Sequence, residues 1–243
     1  MTYAFSHRGV RTGNEENTLI AFQRAVDLGI THLESDVHAS ADGTVYLFHD
    51  ETLDRVTDAS GNFNDCTDEQ LAQIRAGGQP LCTLDALLDA FPQATLNLDV
   101  KDEQVIGPLA ALIERRKAHG AIALAAFSTA RSAAVSHLLS APIRRSPGQR
   151  ELVLIWLCAH LLGWVPKRML ASYWAVQVPL KQGPLPVATR RFIKAVHRAG
   201  AQVHVWVIDD EPTMRLLMDR KADAIMSDDA ALLVQVLGSP AAG

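Results

Sequence analysis

The chain has only three cysteines, Cys66, Cys82 and Cys158, in 243 residues. None forms a CxxC pair, and an odd count gives no disulfide framework. A cysteine without an activating neighbour behaves as a small hydrophobe, so neither Cys82 nor Cys158 stands out as a nucleophile. A surplus of charge is also missing. The net charge is -4, which argues against a dedicated nucleic-acid binder, where a basic domain is expected. Long hydrophobic runs are absent too. The longest, 152–165, falls short of the ~20 residues of an ordinary membrane span. The opening MTYAFSHRGV lacks the basic start and apolar stretch of a secretory signal. A reduced, cytoplasmic setting is the expectation. No internal repeat or low-complexity tract is found.

What the chain does have is apolar bulk. Apolar residues make up 48% and charged residues 21%, enough for a large buried core and against disorder. Short β-rich runs alternate with longer helical patterns, the signature of βα units and a parallel sheet. Eight strands are predicted: Tyr3–His7, His32–Val37, Thr44–His49, Thr95–Lys101, Ile122–Phe127, Pro142–Ser146, Trp174–Val178 and Val203–Ile208. Eight strands in a chain near ~250 residues predict an α/β fold, a single-domain (β/α)8 TIM barrel over 1–243. Helices are predicted over Thr18–Leu28, from Ser146-Pro147 to about Leu162, over Arg190–Ala199 and over Glu211–Arg220. The polar stretch 50–79 is read as a small insertion after the third strand, with a short helix near 68–76.

The chemistry lies in where polar residues fall on these strands. Side chains alternate faces, so residues i and i+2 point the same way. Glu34 and Asp36 then share a face, as do Asn97, Asp99 and Lys101, and as do His204 and Trp206. His7 and His49 end two further strands. Barrel interiors are usually filled by branched apolar residues, and barrel active sites sit at the carboxyl ends of the strands. Ionisable groups buried there without partners would be costly; a bound cation and an anionic substrate resolve that cost. Three carboxylates, Glu34, Asp36 and Asp99, suit a hard divalent ion, Mg2+ or Ca2+, rather than zinc. Imidazoles, here His7 and His49, are matched to proton transfer near neutral pH. Arg8 and Lys101 supply positive charge for a phosphoryl group. Taken singly, each feature has a plain alternative: a solvated acidic pair, a strand-end turn, a surface lysine, or core packing for Trp206. The other histidines read as structural or surface residues, with His204 the first exception.

These residues also fall into a larger pattern. Ser6-His7-Arg8-Gly9, Glu16-Asn17-Thr18, Ala21-Phe22, Glu34-Ser35-Asp36-Val37, Asp42-Gly43, His49-Asp50 and Leu53-Asp54-Arg55 resemble the glycerophosphodiester phosphodiesterase family in order and spacing. Leu98-Asp99-Val100-Lys101, Gln177-Val178-Pro179, His204-Val205-Trp206 and the segment Asp223–Asp228 are similar to its later strand ends. The resemblance implies a (β/α)8 barrel that cleaves glycerophosphodiesters to glycerol 3-phosphate and an alcohol with a divalent cation. It implies His7 and His49 as the catalytic pair, Glu34, Asp36 and Asp99 as metal ligands, and Arg8 and Lys101 as phosphate contacts. Two departures stand out. Asp99 is one methylene shorter than the glutamate more usual there, and Glu15 replaces a proline.

Other readings compete with this one. One keeps the site and changes the substrate to lysophospholipids or sphingolipids, in phospholipase D fashion. A second is a non-catalytic barrel that binds phosphodiesters, against which the presence of both histidines argues. A sugar-phosphate isomerase barrel would not need that pair around a carboxylate site. The 152–165 segment adds a question of partners. It is apolar on nearly every side, and residues 141–200 carry ten Lys and Arg against one acid, Glu151. An all-apolar helix is normally buried. Neighbouring loops or a second subunit are therefore expected to cover it; contact with an anionic membrane is the sharper alternative.

Overall fold

The computed structural model describes residues 2–238. Nine strands form the main sheet: β1 (Tyr3–His7), β2 (His32–Ala39), β3 (Val45–Leu47), β4 (Thr95–Val100), β5 (Ile122–Ala125), β6 (Arg144–Arg145), β7 (Ala175–Pro179), β8 (Gln202–Trp206) and β9 (Ala224–Ser227). Their order is β6-β5-β4-β2-β1-β9-β8-β7, parallel throughout, with β3 off this path. Trp174 N–H donates to Arg145 O at 2.8 Å, which joins β6 to the start of β7 and closes the ring. The result is a (β/α)8 barrel, as expected.

One expected barrel strand, Thr44–His49, gives way to a segment not among the eight predicted. β3 pairs antiparallel with β2 and belongs to a hairpin, not to the barrel. The eighth barrel strand is β9, parallel to β1 and β8. The connection from Ser40 to Thr44 explains β3: parallel neighbours need a crossover of a dozen or more residues. Gly43, at φ +86°, makes the tight turn. The predicted sixth strand shrinks to Arg144–Arg145. Ser146-Pro147 leaves that strand rather than capping the next helix, whose N-cap is Gly148.

The insertion has its own small core. Tyr46, Phe48, Leu53, Val56, Phe63 and Leu71 pack together outside the barrel. A reciprocal capping box between Thr67 and Gln70 starts its one short helix, Asp68–Leu71. Around the barrel, outward residues of the strands meet the helices in two clusters. Leu33, Val37, Leu96, Leu98 and Val100 anchor one, and Val176, Val178, Val203, Val205 and Ile225 the other. The helix Arg190–Ala199 buries Phe192, Ile193, Ala195, Val196 and Ala199 at helical spacing. It starts on the Thr189 cap and stops at Gly200.

The helix Gln149–Leu157, continued by a π-turn Cys158–Leu162, behaves differently. Only Ile155 and Ala159 of it are buried, while Leu161 is 72% exposed. The expected burial beneath neighbouring loops of the same chain does not occur.

Inside the barrel, register stacks the polar residues. His7 lies beside Glu34 and Glu34 beside Asn97, while Asp36 pairs with Asp99 one layer nearer the carboxyl ends. Below them Phe5, Ala224 and Met226 make an apolar plug, with Trp174 and Trp206 against it. His204 is fully buried in this lower layer against Phe5 and Trp174. It is a packing residue of the interior, not a member of the site above.

Candidate active site

A cavity of about 510 Å³ opens at the carboxyl ends of the strands. His7, Arg8, Glu34, Asp36, His49, Asp99, Lys101 and Trp206 all line it, so every sequence-predicted site residue reaches one space. Its floor is an amide pair across the barrel. Gln177 Nε2 donates to Asn97 Oδ1 at 2.8 Å and Asn97 Nδ2 to Gln177 Oε1 at 3.4 Å. Each amide satisfies the other, so neither is left as an unpaired buried group.

Both histidines are held in the same way. His7 Nδ1 lies 2.6 Å from Asp228 Oδ1, and Arg11 donates to the other oxygen of Asp228 at 2.8 Å. His49 Nδ1 lies 2.5 Å from Asp50 Oδ1, and Arg55 Nε donates to Asp50 Oδ2 at 2.6 Å. In each case a carboxylate fixes the ring and an arginine fixes the carboxylate. Nδ1 is thereby engaged, and Nε2 is the nitrogen left for proton transfer. Burial alone would lower the His7 pKa; the Glu34 charge and the Asp228 bond outweigh it, so the value lies above the ordinary histidine. Burial would raise Asp50, but its bonds to Arg55 and His49 hold it down to about 2.

Glu16 ties the two arrangements together. Its buried carboxylate accepts from Arg8 at 3.1 Å, from Arg11 at 3.0 Å and from Arg55 at 2.6 and 3.0 Å. Those arginine bonds overcome the upward push of burial and keep it ionised. Each of the three arginines also reaches a second acid, Arg8 to Asp36, Arg11 to Asp228 and Arg55 to Asp50, so Glu16 is the hub of one ion-pair network.

Arg8 gets there by an unusual backbone. It sits at φ +57°, a left-handed conformation that costs a non-glycine residue energy and clusters at functional sites. Gly9 follows at φ +82°, where a Cβ would stand 2.7 Å from the Ala21 backbone. Only glycine fits there, and the turn swings Arg8 toward Glu16. Glu15, the departure from proline, accepts from Thr12 N–H and Arg24 and so pins this loop to the helix Leu19–Asp27.

The three acids differ in their surroundings. Arg8 Nε approaches Asp36 Oδ2 at 3.0 Å as an ion pair, although the N–H is not aimed along a hydrogen bond. Lys101 Nζ sits 3.3 Å from both Asp36 and Asp99. Glu34 Oε2 is buried without a hydrogen-bond partner; His7 Nε2 is 3.7 Å away. Burial drives the Glu34 pKa upward; His7 and Arg8 pull against it, while Asp36 and Asp99 add to the rise. Asp99 is likewise raised by burial against the pull of Lys101. Among the described residues no three acid, histidine or cysteine side chains already form a closed metal shell. The donor set nonetheless fits a hard cation. It is all carboxylate oxygen, one oxygen is orphaned, and two of the acids hold an ammonium between them.

Glu16, Asp50, Gln177 and Asp228 fall within the motifs of the sequence reading, and Asn97 within a strand it placed, but none was given a chemical role there. The signal for Asp50 was its place beside His49. Asp228 lies 221 residues from His7, and only barrel closure brings them together.

The fold and the site together define a (β/α)8 barrel that gathers imidazoles, carboxylates and cations in one cavity at the carboxyl ends of its strands. The pattern of the glycerophosphoryl diester phosphodiesterase family matches residues 7–232, and the chain belongs to that family. It is 36% identical to the probable glycerophosphodiester phosphodiesterase 2 of Mycobacterium tuberculosis, over 96% of this chain and 90% of that one. It is 27% identical to the lysophospholipase D GDPD1 of Homo sapiens, over 92% of this chain and 82% of that protein. The fold matches that of an Oleispira antarctica phosphodiesterase solved with its product sn-glycerol-3-phosphate, at TM-score 0.79 and 21% identity, covering 98% of this chain and 97% of that one.

Proposed function

We propose that this chain hydrolyses glycerophosphodiesters to glycerol 3-phosphate and an alcohol, with His7 and His49 as the proton-transfer pair. The observation that carries the reading is the pair of imidazoles in one cavity, each with Nδ1 held by a carboxylate. One Nε2 takes the proton of the attacking group, either water directly or the neighbouring glycerol hydroxyl; the second route would give a cyclic phosphate that water then opens to glycerol 3-phosphate. The other gives a proton to the departing alkoxide, so the P–O bond breaks without releasing a strong base. Arg8 and Lys101 meet the phosphoryl oxygens, where fixed positive charge counts most as negative charge builds. Trp206 forms part of the substrate wall. Glu34, Asp36 and Asp99 hold one divalent cation, Mg2+ or Ca2+, which would neutralise phosphoryl charge and polarise the P–O bonds.

The decisive experiment is product analysis with glycerophosphocholine, with and without each cation. Glycerol 3-phosphate is the expected product, and exhaustive chelation should abolish its release. His7→Ala and His49→Ala, each checked for folding, should lower turnover by about 10²–10⁴-fold. Full turnover after verified cation removal would sink the metal assignment; near wild-type turnover in either variant would sink that histidine's role.

A second substrate class is favoured by the rest of the cavity lining. Phe127, Leu152, Val153, Trp156, Leu157 and Leu185 line the same cavity and make much of its wall apolar. A substrate with an acyl chain, such as a lysophospholipid, would bury that chain there. Lysophosphatidylcholine run beside glycerophosphocholine separates the two.

A further inference from the structure

The apolar wall does not end at the cavity. The helix Gln149–Leu157 that supplies much of it continues outward into bare surface. Leu154 is 54% exposed, Leu161 72%, Leu162 59% and Trp164 52%. Residues 150, 154, 157 and 161 follow one another at three- and four-residue spacing, so they share a face. Val153 and Leu157 belong to that outer face and to the cavity lining alike. We propose that this face lies on an anionic membrane surface, with the cavity mouth opening beside the lipid.

Charge favours that occupant. Arg150 lies on the face, Lys167 and Arg168 follow it in the chain, and Lys181 sits on the hairpin that Trp156 bonds; all are exposed, and none is in an ion pair with a described acid. The first hundred residues, by contrast, hold sixteen acids against five Lys and Arg. A polarised molecule of this kind is oriented by a negative surface before it touches it. A second copy of the chain is the poorer fit, because a two-fold contact would set these four cations against themselves.

The face is also rigidly mounted. His160 Nδ1 lies 3.0 Å from Trp156 O and its Nε2 3.0 Å from Thr189 Oγ1. Trp156 Nε1 donates to Pro186 O at 3.1 Å, and Arg191 Nε to Ala159 O at 3.1 Å. These bonds hold the segment against the barrel with its leucines outward. No described helix is long and apolar enough to cross a membrane. The contact is therefore in the plane of the interface. Delivery of amphiphilic phosphodiesters to the site rests on the phosphodiesterase reading; membrane binding itself does not.

The test uses the whole chain with sedimented vesicles, either phosphatidylcholine alone or with an equal share of phosphatidylglycerol. Binding to the anionic vesicles is expected, weakening as salt rises. Leu154→Glu with Leu161→Glu should reduce it at least tenfold, and so should Lys167→Glu with Arg168→Glu. Both double variants should hydrolyse soluble glycerophosphocholine like the wild type, which also shows that they fold. No binding to anionic vesicles, or equal binding by the variants, overturns the proposal. So does a dimer in sedimentation equilibrium that the Leu154/Leu161 variant dissolves. Salt-sensitive vesicle binding by a chain that leaves both glycerophosphocholine and lysophosphatidylcholine intact would keep the membrane face and discard the phosphodiesterase reading.

Discussion

A histidine in solution is free to choose its tautomer and orientation; His7 and His49 are not. Each carboxylate beside them sets which nitrogen carries the proton and, on the function proposed above, would stabilise an imidazolium formed in turnover. Asp228→Asn and Asp50→Asn keep shape and volume while removing that charge. Each is expected to lower kcat by roughly 10²–10⁴-fold with circular dichroism and melting temperature nearly unchanged. A rise in KM with kcat unchanged would mean that these acids position substrate instead. The two histidines and three of the acids were legible in the sequence, because strand alternation alone aims Glu34, Asp36 and Asp99 inward. The holding residues were not. Glu16 lies in an irregular loop, where no periodicity says which way a side chain points. Its role depends on arginines that approach from three separate segments.

Single secondary-structure elements decide where these residues stand. β3 carries His49 to the site from a hairpin: Phe48 N–H donates to Asp36 O at 2.9 Å, which sets His49 beside the carboxyl end of β2. Alternation made Thr44–His49 resemble a barrel strand, while the short Asp42-Gly43 connection already spoke against parallel pairing. β9 escaped for the opposite reason. Ala224–Ser227 is four buried residues with no alternation, and such a run is not distinguished by period. The helix Gln149–Leu157 depends on its first contact. Gly148 N–H donates to Thr129 Oγ1 at 2.7 Å, and a Cβ on Gly148 would stand 2.6 Å from that oxygen and 2.8 Å from Phe127 O. Gly148→Ala must therefore push the helix off its seat. A loss of about 1–3 kcal/mol is expected, measured by urea unfolding. Wild-type stability would show that Thr129 yields without moving the helix.

For the molecule as a whole, the buried histidine beneath the site ties stability to pH. Burial, helped by the charge of His32, lowers the His204 pKa to about 3, so the folded protein keeps it neutral. The unfolded chain protonates it near the ordinary value of 6.5. Between those values the unfolded state binds the extra proton. The stabilisation is complete above about pH 6.5 and is lost as pH falls towards 3, at up to about 1.4 kcal/mol per pH unit. His32, also lowered by burial and by Arg144, contributes with the same sign. His204→Leu should flatten the decline in melting temperature between pH 7 and pH 5; an unchanged slope would place the acid sensitivity elsewhere. The ring of strands has a further consequence, because its joints are not equal. Every other pair of neighbours shares a ladder, but β6 and β7 meet through the Trp174–Arg145 bond. A hoop under thermal strain parts at its weakest stave. In the strand order β1 and β2 stand farthest from that joint. When the hoop breathes, the staves bearing His7, Glu34 and Asp36 keep their spacing, and the gap opens on the side that carries the leucine-rich helix. Amide exchange at Trp174 should outpace exchange at His7 and Glu34; equal protection at all three would show that this joint holds as firmly as the ladders.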